Sequence, residues 1–398
     1  MFTSRNPEPA VPYWRLSGVY FFVCAVLGTM LPYWMLFMES LGYSAWQTGQ
    51  LTALQMVTTF IAPYVWGEVC DRASSRLRVI RAGNLAAALI FLCVFAFFEH
   101  YWALVLAVCA SAFCWQGLNA QFEIITLNHL GKDPHRYGRI RLWGSFGFLS
   151  AVWLTGQIIN LYSVALLPYI VAGLLFTLWL MTLVNRDQPV KEQPDGNLEQ
   201  PGGIWQNPVL WLLLVVFFLV NFSHGSYYGY YSLFLKQEGI SAAVTGNLWT
   251  VAVASELLMF AAMPWVMRRF SLRFILLVSL CLTAFRWLGT GMQAGNVAEL
   301  TLLQLLHGVS FSAVHTVAVL LFKQCVHTAH EGKAQALYCA VCIGGGQAAG
   351  VAAGGQIWAI SPVASFYFSA AVAAGAAVIA LLFLTANRLA PAGKEQQV

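Results

Sequence analysis

The chain reads as an all-α, polytopic membrane protein: twelve transmembrane helices arranged as two six-helix pseudo-repeats. Three observations predict this class. Of 398 residues, 59% are apolar and only 9% charged, whereas about 25% of residues in soluble domains are charged. Twelve apolar stretches reach spanning length, and about 20 apolar residues cross the hydrocarbon core as a helix that satisfies its own backbone hydrogen bonds. A segment of the first half also recurs in the second.

The stretches are 13–37, 46–66, 80–98, 102–128, 141–160, 163–183, 208–234, 243–266, 273–292, 300–321, 334–358 and 361–385. The first is too long for the apolar region of a cleavable signal peptide and belongs to the bundle. Lys and Arg fall on the N-terminus (Arg5, Arg15) and then on every second connection. These carry Arg72, Arg76, Arg78 and Arg81; Lys132, Arg136 and Arg139; Arg186 and Lys191; Arg268, Arg269 and Arg273; Lys323 and Lys333. The tail adds Arg388 and Lys394, and the alternate loops carry almost none, Lys236 excepted. Because positive loops stay in the cytoplasm, the expectation is a multi-pass protein of the bacterial cytoplasmic (inner) membrane with both termini inside. The net charge of +5 follows from this bias, so the expected surroundings are a lipid bilayer and no nucleic acid.

The one long polar connection, NRDQPVKEQPDGNLEQPGGIWQNP, reads as a flexible cytoplasmic linker. It divides the chain into a six-helix half over 1–184, a linker over 185–207 and a second half over 208–398. The halves echo each other: Gly42-Tyr-Ser44-Ala45-Trp-Gln-Thr48-Gly49-Gln-Leu51 matches Gly239-Ile-Ser241-Ala242-Ala-Val-Thr245-Gly246-Asn-Leu248 at an offset of 197, six identities in ten. Weaker echoes pair Pro63 with Pro264, and Gly138 to Arg141 with Gly332 to Gln335. The nine cysteines show no metal-ligand spacing and read as small apolar residues, so no metal site is expected.

Six spans per half in the same orientation is the parallel-repeat design of major facilitator transporters. Gly67-Glu-Val-Cys-Asp71-Arg72-Ala-Ser-Ser-Arg76 resembles that family's signature loop, with Ser74 where its second glycine is expected. The resemblance implies that Asp71 and Arg72 help to hold one conformation. It extends to the lactose permease and phenylpropionate permease group. Tyr137-Gly-Arg-Ile-Arg-Leu-Trp-Gly144, Ser255-Glu256-Leu-Leu, Arg286-Trp-Leu-Gly289 and Leu306-His307-Gly-Val-Ser-Phe311 resemble the group's fifth, eighth, ninth and tenth spans. By this likeness Glu123 and Arg141 fall at the sugar-binding carboxylate and arginine, Phe148 at a sugar-stacking tryptophan, and Ser310 at the proton-carrying glutamate.

The deep ionisable residues are Glu123, Arg141, His224, Glu256, Arg286, His307 and His315. Each would cost at least about 2.5 kcal/mol if left ionised in hydrocarbon, so each needs a partner or a water-filled cavity. Glu123 and Arg141 flank a polar turn over 130–138 and are expected to meet, either as a binding pair or as a structural ion pair. Asn119 lies one turn before Glu123 on the same face, and Phe148 two turns past Arg141 could stack on a ring. With serine at 310, the proton is assigned to Glu256 tuned by Arg286, and His307 is the alternative relay or a hydrogen-bonded structural histidine. His315 reads as structural. The run from Asn221 to Tyr231 adds His224 and Tyr228 as binding candidates, whereas Tyr230 and Tyr231 read equally as membrane-interface residues. Gly144 with Gly147, and Gly346, Gly350 and Gly354, read as close helix approaches.

Tyrosines, few carboxylates and two buried arginines suit a small aromatic carboxylate such as 3-phenylpropionate, held bidentately by a guanidinium. The expected activity is therefore proton-coupled symport of a small organic solute by a monomer that needs no cofactor beyond the proton gradient. A sugar or nucleoside symporter and a proton-driven exporter are the alternatives on the same fold. A polytopic enzyme would need a nucleophile, a metal cluster or a carboxylate pair near an interface, and none is evident.

Overall fold

A computed structural model describes residues 11–130, 136–186, 207–293, 295–327 and 330–384. Arg5, Lys132, Lys191, Arg388, Lys394 and most of the linker lie outside the described residues. The described chain is built of twelve long helices: α1 (Tyr13–Ser40), α2 (Ala45–Arg72), α3 (Arg76–Ala96), α4 (Tyr101–Leu130), α5 (Tyr137–Leu161), α6 (Val164–Leu183), α7 (Pro208–Gln237), α8 (Ala242–Arg269), α9 (Leu272–Met292), α10 (Val297–Gln324), α11 (Glu331–Trp358) and α12 (Pro362–Phe383). Eleven are long and apolar enough to cross a membrane. The second, expected over 46–66, runs on to Arg72 and is more polar than the rest. Thr52, Gln55 and Thr59 on it face an internal space, and Glu68, Asp71 and Arg72 close its end.

Three helices lose regular α geometry in mid-span, all in the second half. α7 is interrupted at His224, α10 carries a π-helical segment over Gly308–Ala313, and α11 carries another over Tyr338–Gly345. Such π insertions are frequent at functional sites. Here all three fall at mid-depth, beside the central cavity described below.

The sequence repeat is a repeat of structure. Ser44 and Ser241 cap α2 and α8 with nearly identical backbone angles (φ −68°, ψ 157° and φ −67°, ψ 157°). Each serine accepts a hydrogen bond from the backbone N–H three residues on, which satisfies one orphan donor of the first turn. Gly42 and Gly239 before them are, among the described residues, the two glycines with positive φ, 86° and 76°, a region where a side chain is strained.

One turn into α2 and α8 stand Gly49 and Gly246, and here the two halves meet. A Cβ on Gly49 would lie 1.8 Å from the Tyr230 hydroxyl, and one on Gly246 would lie 2.5 Å from that of Tyr33. Tyr33 donates to the Val152 carbonyl (2.7 Å) and Tyr230 to the Val351 carbonyl (3.0 Å). Glu39 and Lys236, again 197 residues apart, form an ion pair at the same end. We call this the outer end; the opposite end carries the linker. Tyr230 and Tyr231 are fully buried, so neither is a membrane-interface residue; Gly49 of α2 and Gly354 and Gly355 of α11 leave room for Tyr230 inside.

The apolar interior follows the same pattern. One core runs through α1 to α6 and on into the outer parts of α7 to α12, whereas the linker-side part of the second half has a separate core. The halves are thus continuous at the outer end and separate towards the linker. Within each half the expected glycine approaches are present: a Cβ on Gly147 would lie 2.1 Å from the Phe21 carbonyl oxygen, and one on Gly350 would lie 2.0 Å from that of Phe222. Both neighbours are backbone and cannot turn aside.

Gly147→Ala and Gly350→Ala should therefore each destabilise the purified protein by about 1–3 kcal/mol, the usual cost of overpacking. Gly375→Ala, where nothing lies within 4 Å, should leave the melting temperature unchanged in the same thermal-unfolding assay.

Candidate functional site

A cavity of about 430 Å³ lies between the halves at mid-depth. Phe60, Phe148, Tyr228, Trp249 and Phe311 give it aromatic walls, and Thr59, Gln116, Ser145 and Gln347 are its uncharged polar groups. Glu256 and His307 are the acid and the imidazole on its lining. The spacing on α8 explains how they arrive together, because Trp249, Val253 and Glu256 fall at i, i+4 and i+7 on one face. On α2, Phe60 reaches across to α11, where a Cβ on Gly344 would lie 1.2 Å from its ring.

Behind the wall, Arg286 on α9 is fully buried. Its Nη1 donates to His307 Nδ1 (2.8 Å) and Ser310 Oγ (3.2 Å), and its Nη2 donates to Gln304 Oε1 (2.8 Å). Its guanidinium carbon lies 4.4 Å from the centre of the Tyr227 ring and 4.3 Å from that of Trp287, cation–π distances. An arginine can only donate, so His307 Nδ1 accepts and the imidazole proton sits on Nε2. That Nε2 lies 2.7 Å from Glu256 Oε1 and donates to it. The result is a directed chain, guanidinium to imidazole to carboxylate, whose last member is 17% exposed and faces the cavity.

The structure thus brings Glu256, Arg286 and His307 together, as the sequence led us to expect. Ser310, at the position of the family's glutamate, serves as an acceptor for Arg286. Gln304 escaped the sequence reading. Its signal was its place one turn before His307 on the same face, where a buried amide must find a hydrogen-bond partner.

His224 also lies behind the wall. Its Nδ1 donates to the Val220 carbonyl (2.8 Å), and its ring contacts Tyr228, Trp287 and His307. His315 is paired with the Tyr338 hydroxyl at 3.1 Å, in keeping with a structural role.

Glu123 and Arg141 meet, but neither lines the cavity. Arg141 Nη1 is 3.8 Å from Glu123 Oε2 and 3.2 Å from the Tyr137 hydroxyl, which itself donates to Glu123 Oε1. Their side chains are 38% and 53% exposed for Glu123 and Arg141, so the depth assigned to them from sequence is corrected: the pair sits at the linker-side approach. Gln116, Asn119 and Glu123 descend one face of α4 at spacings of three and four, and Phe148, Ser145 and Arg141 descend one face of α5. The expectation of two arginines inside the pocket is corrected likewise, since Arg286 points at its own acceptors and Arg141 lies towards the mouth.

In the signature loop Asp71 pairs with Arg76, which also donates to Gln121 of α4, and Arg72 pairs with Glu68 at 2.5 Å. The bonds of Arg76 tie the linker-side ends of α2, α3 and α4 together, whereas the Arg72–Glu68 pair stays within α2. Among the described residues, no group of three or more His, Cys, Asp and Glu is placed to hold a metal ion.

A bundle of twelve long helices, related in two halves and enclosing a central cavity with buried charge on one wall, defines a membrane transporter of the major facilitator type. The chain belongs to the MFS_1 like family, whose model matches residues 13–368. It is 27% identical over 345 residues to a "Probable 3-phenylpropionic acid transporter" of Escherichia coli (strain K12), covering 83% of this chain and 87% of that one. It is 25% identical over 392 residues to a maltose permease of Geobacillus stearothermophilus, covering 95% of each. Among solved structures, a mutant form of the nucleoside transporter NupG superposes with a TM-score of 0.83 at 18% identity, covering 94% of this chain and 98% of that one.

The buried network makes a stability prediction. Gln304→Leu leaves one guanidinium nitrogen without its acceptor and should cost about 1–3 kcal/mol of unfolding free energy. Ser310→Ala removes the longer bond of a nitrogen that keeps His307, so thermal unfolding of the two variants should rank it as the milder.

Proposed function

We propose that this protein is a proton-coupled symporter that imports a small aromatic carboxylate, such as 3-phenylpropionate, by alternating access. The observation that carries the reading is the chain from Arg286 through His307 to Glu256, which ends on the cavity wall. In this reading Glu256 carries the proton, and Arg286 acts on it through His307. An ionised carboxylate is expensive in a dry, ring-lined space and cheap when water reaches it. Glu256 therefore enters the closed state with a proton and gives it up when the cavity opens to the cytoplasm. Phe148, Tyr228, Trp249 and Phe311 enclose the ring of the solute. Arg141, with Tyr137 and Glu123, forms the cationic approach through which the carboxylate leaves; Asn119 and His224 stand as further contacts.

The two bodies that rock are residues 1–184 and 208–398, tethered by 185–207, in the cytoplasmic membrane of a bacterium with both termini inside. Asp71 and Arg72, with Arg76 and Glu68, keep the first body intact at its linker-side end. The monomer suffices, and the proton gradient takes the place of a cofactor. The likeness to the 3-phenylpropionic acid transporter supports the choice of solute. A second reading, symport of a nucleoside, is favoured by one observation: the cavity offers amides and hydroxyls from Gln116, Gln347, Thr59 and Ser145 but no guanidinium.

The test is external pH in a lightly buffered suspension of de-energised cells making the protein. Adding 3-phenylpropionate should give a transient alkalinisation that is lost in Glu256→Gln, while that variant still exchanges labelled for unlabelled solute. Arg141→Ala should reduce uptake at least tenfold. An undiminished alkalinisation in Glu256→Gln would move the proton to His307 or Glu123. Silence towards aromatic acids, sugars and nucleosides alike would favour export, to be tested by efflux from loaded vesicles.

A further inference from the structure

Next to the central cavity, towards the sealed outer end, lies a smaller space of about 80 Å³, room for two or three water molecules at about 30 Å³ each. Leu27, Leu31, Met56, Thr59, Gln116 and Tyr228 line both spaces, so the smaller is an annex of the larger. Trp34, Thr52 and Gln55 belong to the annex alone, one turn further out on α1 and α2.

The Thr52 hydroxyl donates to the Thr48 carbonyl, and the Thr59 hydroxyl donates to Gln116 Oε1 at 2.6 Å, so both hydroxyl protons are turned into the protein. Gln116 is left with its amide N–H₂ to offer, and Gln55 lines the same space. Trp34 is 4% exposed, and its Nε1–H is buried with no hydrogen-bond partner. Two buried indoles of the second half are satisfied, by contrast: Trp249 donates to Ser232 (3.0 Å) and Trp287 to Ser223 (3.1 Å). A buried N–H without an acceptor costs about 1–3 kcal/mol, a cost removed when a ligand supplies the oxygen. No cationic side chain lines the annex.

We infer that the annex is a subsite for the oxygen-bearing end of the transported solute, a carboxyl, carbonyl or hydroxyl group, with the Trp34 indole N–H donating to it. The inference rests on the reading that the central cavity holds the solute. It adds that the solute spans two walls, its ring among Phe148, Tyr228 and Trp249 and its oxygen end on the first half, across the cavity from Glu256. Trp34 is then a specificity-determining residue that selects solutes with an acceptor one short chain or ring away from the aromatic body.

Trp34→Phe is the test, because Phe37 and Phe91, 5.3 and 6.0 Å from the Trp34 ring, still hold an aromatic side chain there while the N–H is gone. Binding of 3-phenylpropionate and of uridine to the purified full-length protein is measured by calorimetry, with the melting temperature of each form as the check on folding. The expected result is that whichever probe binds the native protein binds the folded variant about tenfold more weakly. Equal affinities would overturn the subsite and leave the transport reading standing. If neither probe binds the native protein, the choice of solute fails and the subsite is decided separately. Thr52→Cys, in a background lacking the nine native cysteines, should then react with a small methanethiosulfonate added on the linker side. An unreactive Cys at position 52 would show the annex closed to solutes and overturn the proposal.

Discussion

The contact on which the structure depends is the reciprocal fit of two tyrosines into two glycines at the outer end. Tyr33 is hydrogen-bonded to α5 in its own half and presses on Gly246 of the other; Tyr230 is bonded to α11 in its own half and presses on Gly49 of the first. Each hydrogen bond stays inside a half, and only shape complementarity crosses between them. The halves can therefore part at this end without leaving a buried donor unpaired. What must break is the Glu39–Lys236 pair, whose side chains are roughly half exposed and which is accordingly worth no more than about 1 kcal/mol. The seal excludes water by packing and is cheap to open.

Arg286 imposes the second constraint. A guanidinium with no exposed surface needs its acceptors within reach in every state of the protein, and those it has, Gln304, His307 and Ser310, all come from α10. The charge and its partners belong to one half and travel with it. Glu256 and His307 are the members of this cluster that reach the cavity. The repeat is preserved where the halves touch and abandoned where charge is buried.

Much of this was legible in the sequence. Helix number, alternate basic loops, the repeated Gly-x-Ser-Ala caps and the meeting of Glu256, Arg286 and His307 follow from patterns that survive in a membrane protein, because charge and glycine are rare there and their spacing is informative. The facing of individual side chains was less legible. In a soluble helix the apolar stripe marks the core, but a lipid-facing side is as apolar as a buried one, so periodicity does not say that Tyr230 points inward or that Arg286 turns from the cavity to Gln304. Trp34 was missed for the same reason: an indole in a run of apolar residues carries no mark of an unpartnered N–H. Glu123 and Arg141 were placed too deep because distance along a helix was taken for burial, whereas both side chains are partly exposed on the linker side.

The magnitudes decide which of these features governs alternation. Opening the outer end breaks an ion pair worth about 1 kcal/mol or less, whereas enclosing an ionised Glu256 among Phe148, Tyr228, Trp249 and Phe311 strips water from a charge, at an effective cost of several kcal/mol. His307 supplies one hydrogen bond to that carboxylate, and Arg286 stands one residue further off. On the proposed reading the surface pair can bias the two open states but cannot couple them to anything, since neither of its members meets the solute. The carboxylate can, because its charge determines whether the closed state between them is accessible at all. A solute that reaches both walls draws the halves together, and a proton on Glu256 removes the charge that would resist closure. The two are thus required in the same step, although they occupy opposite sides of the cavity.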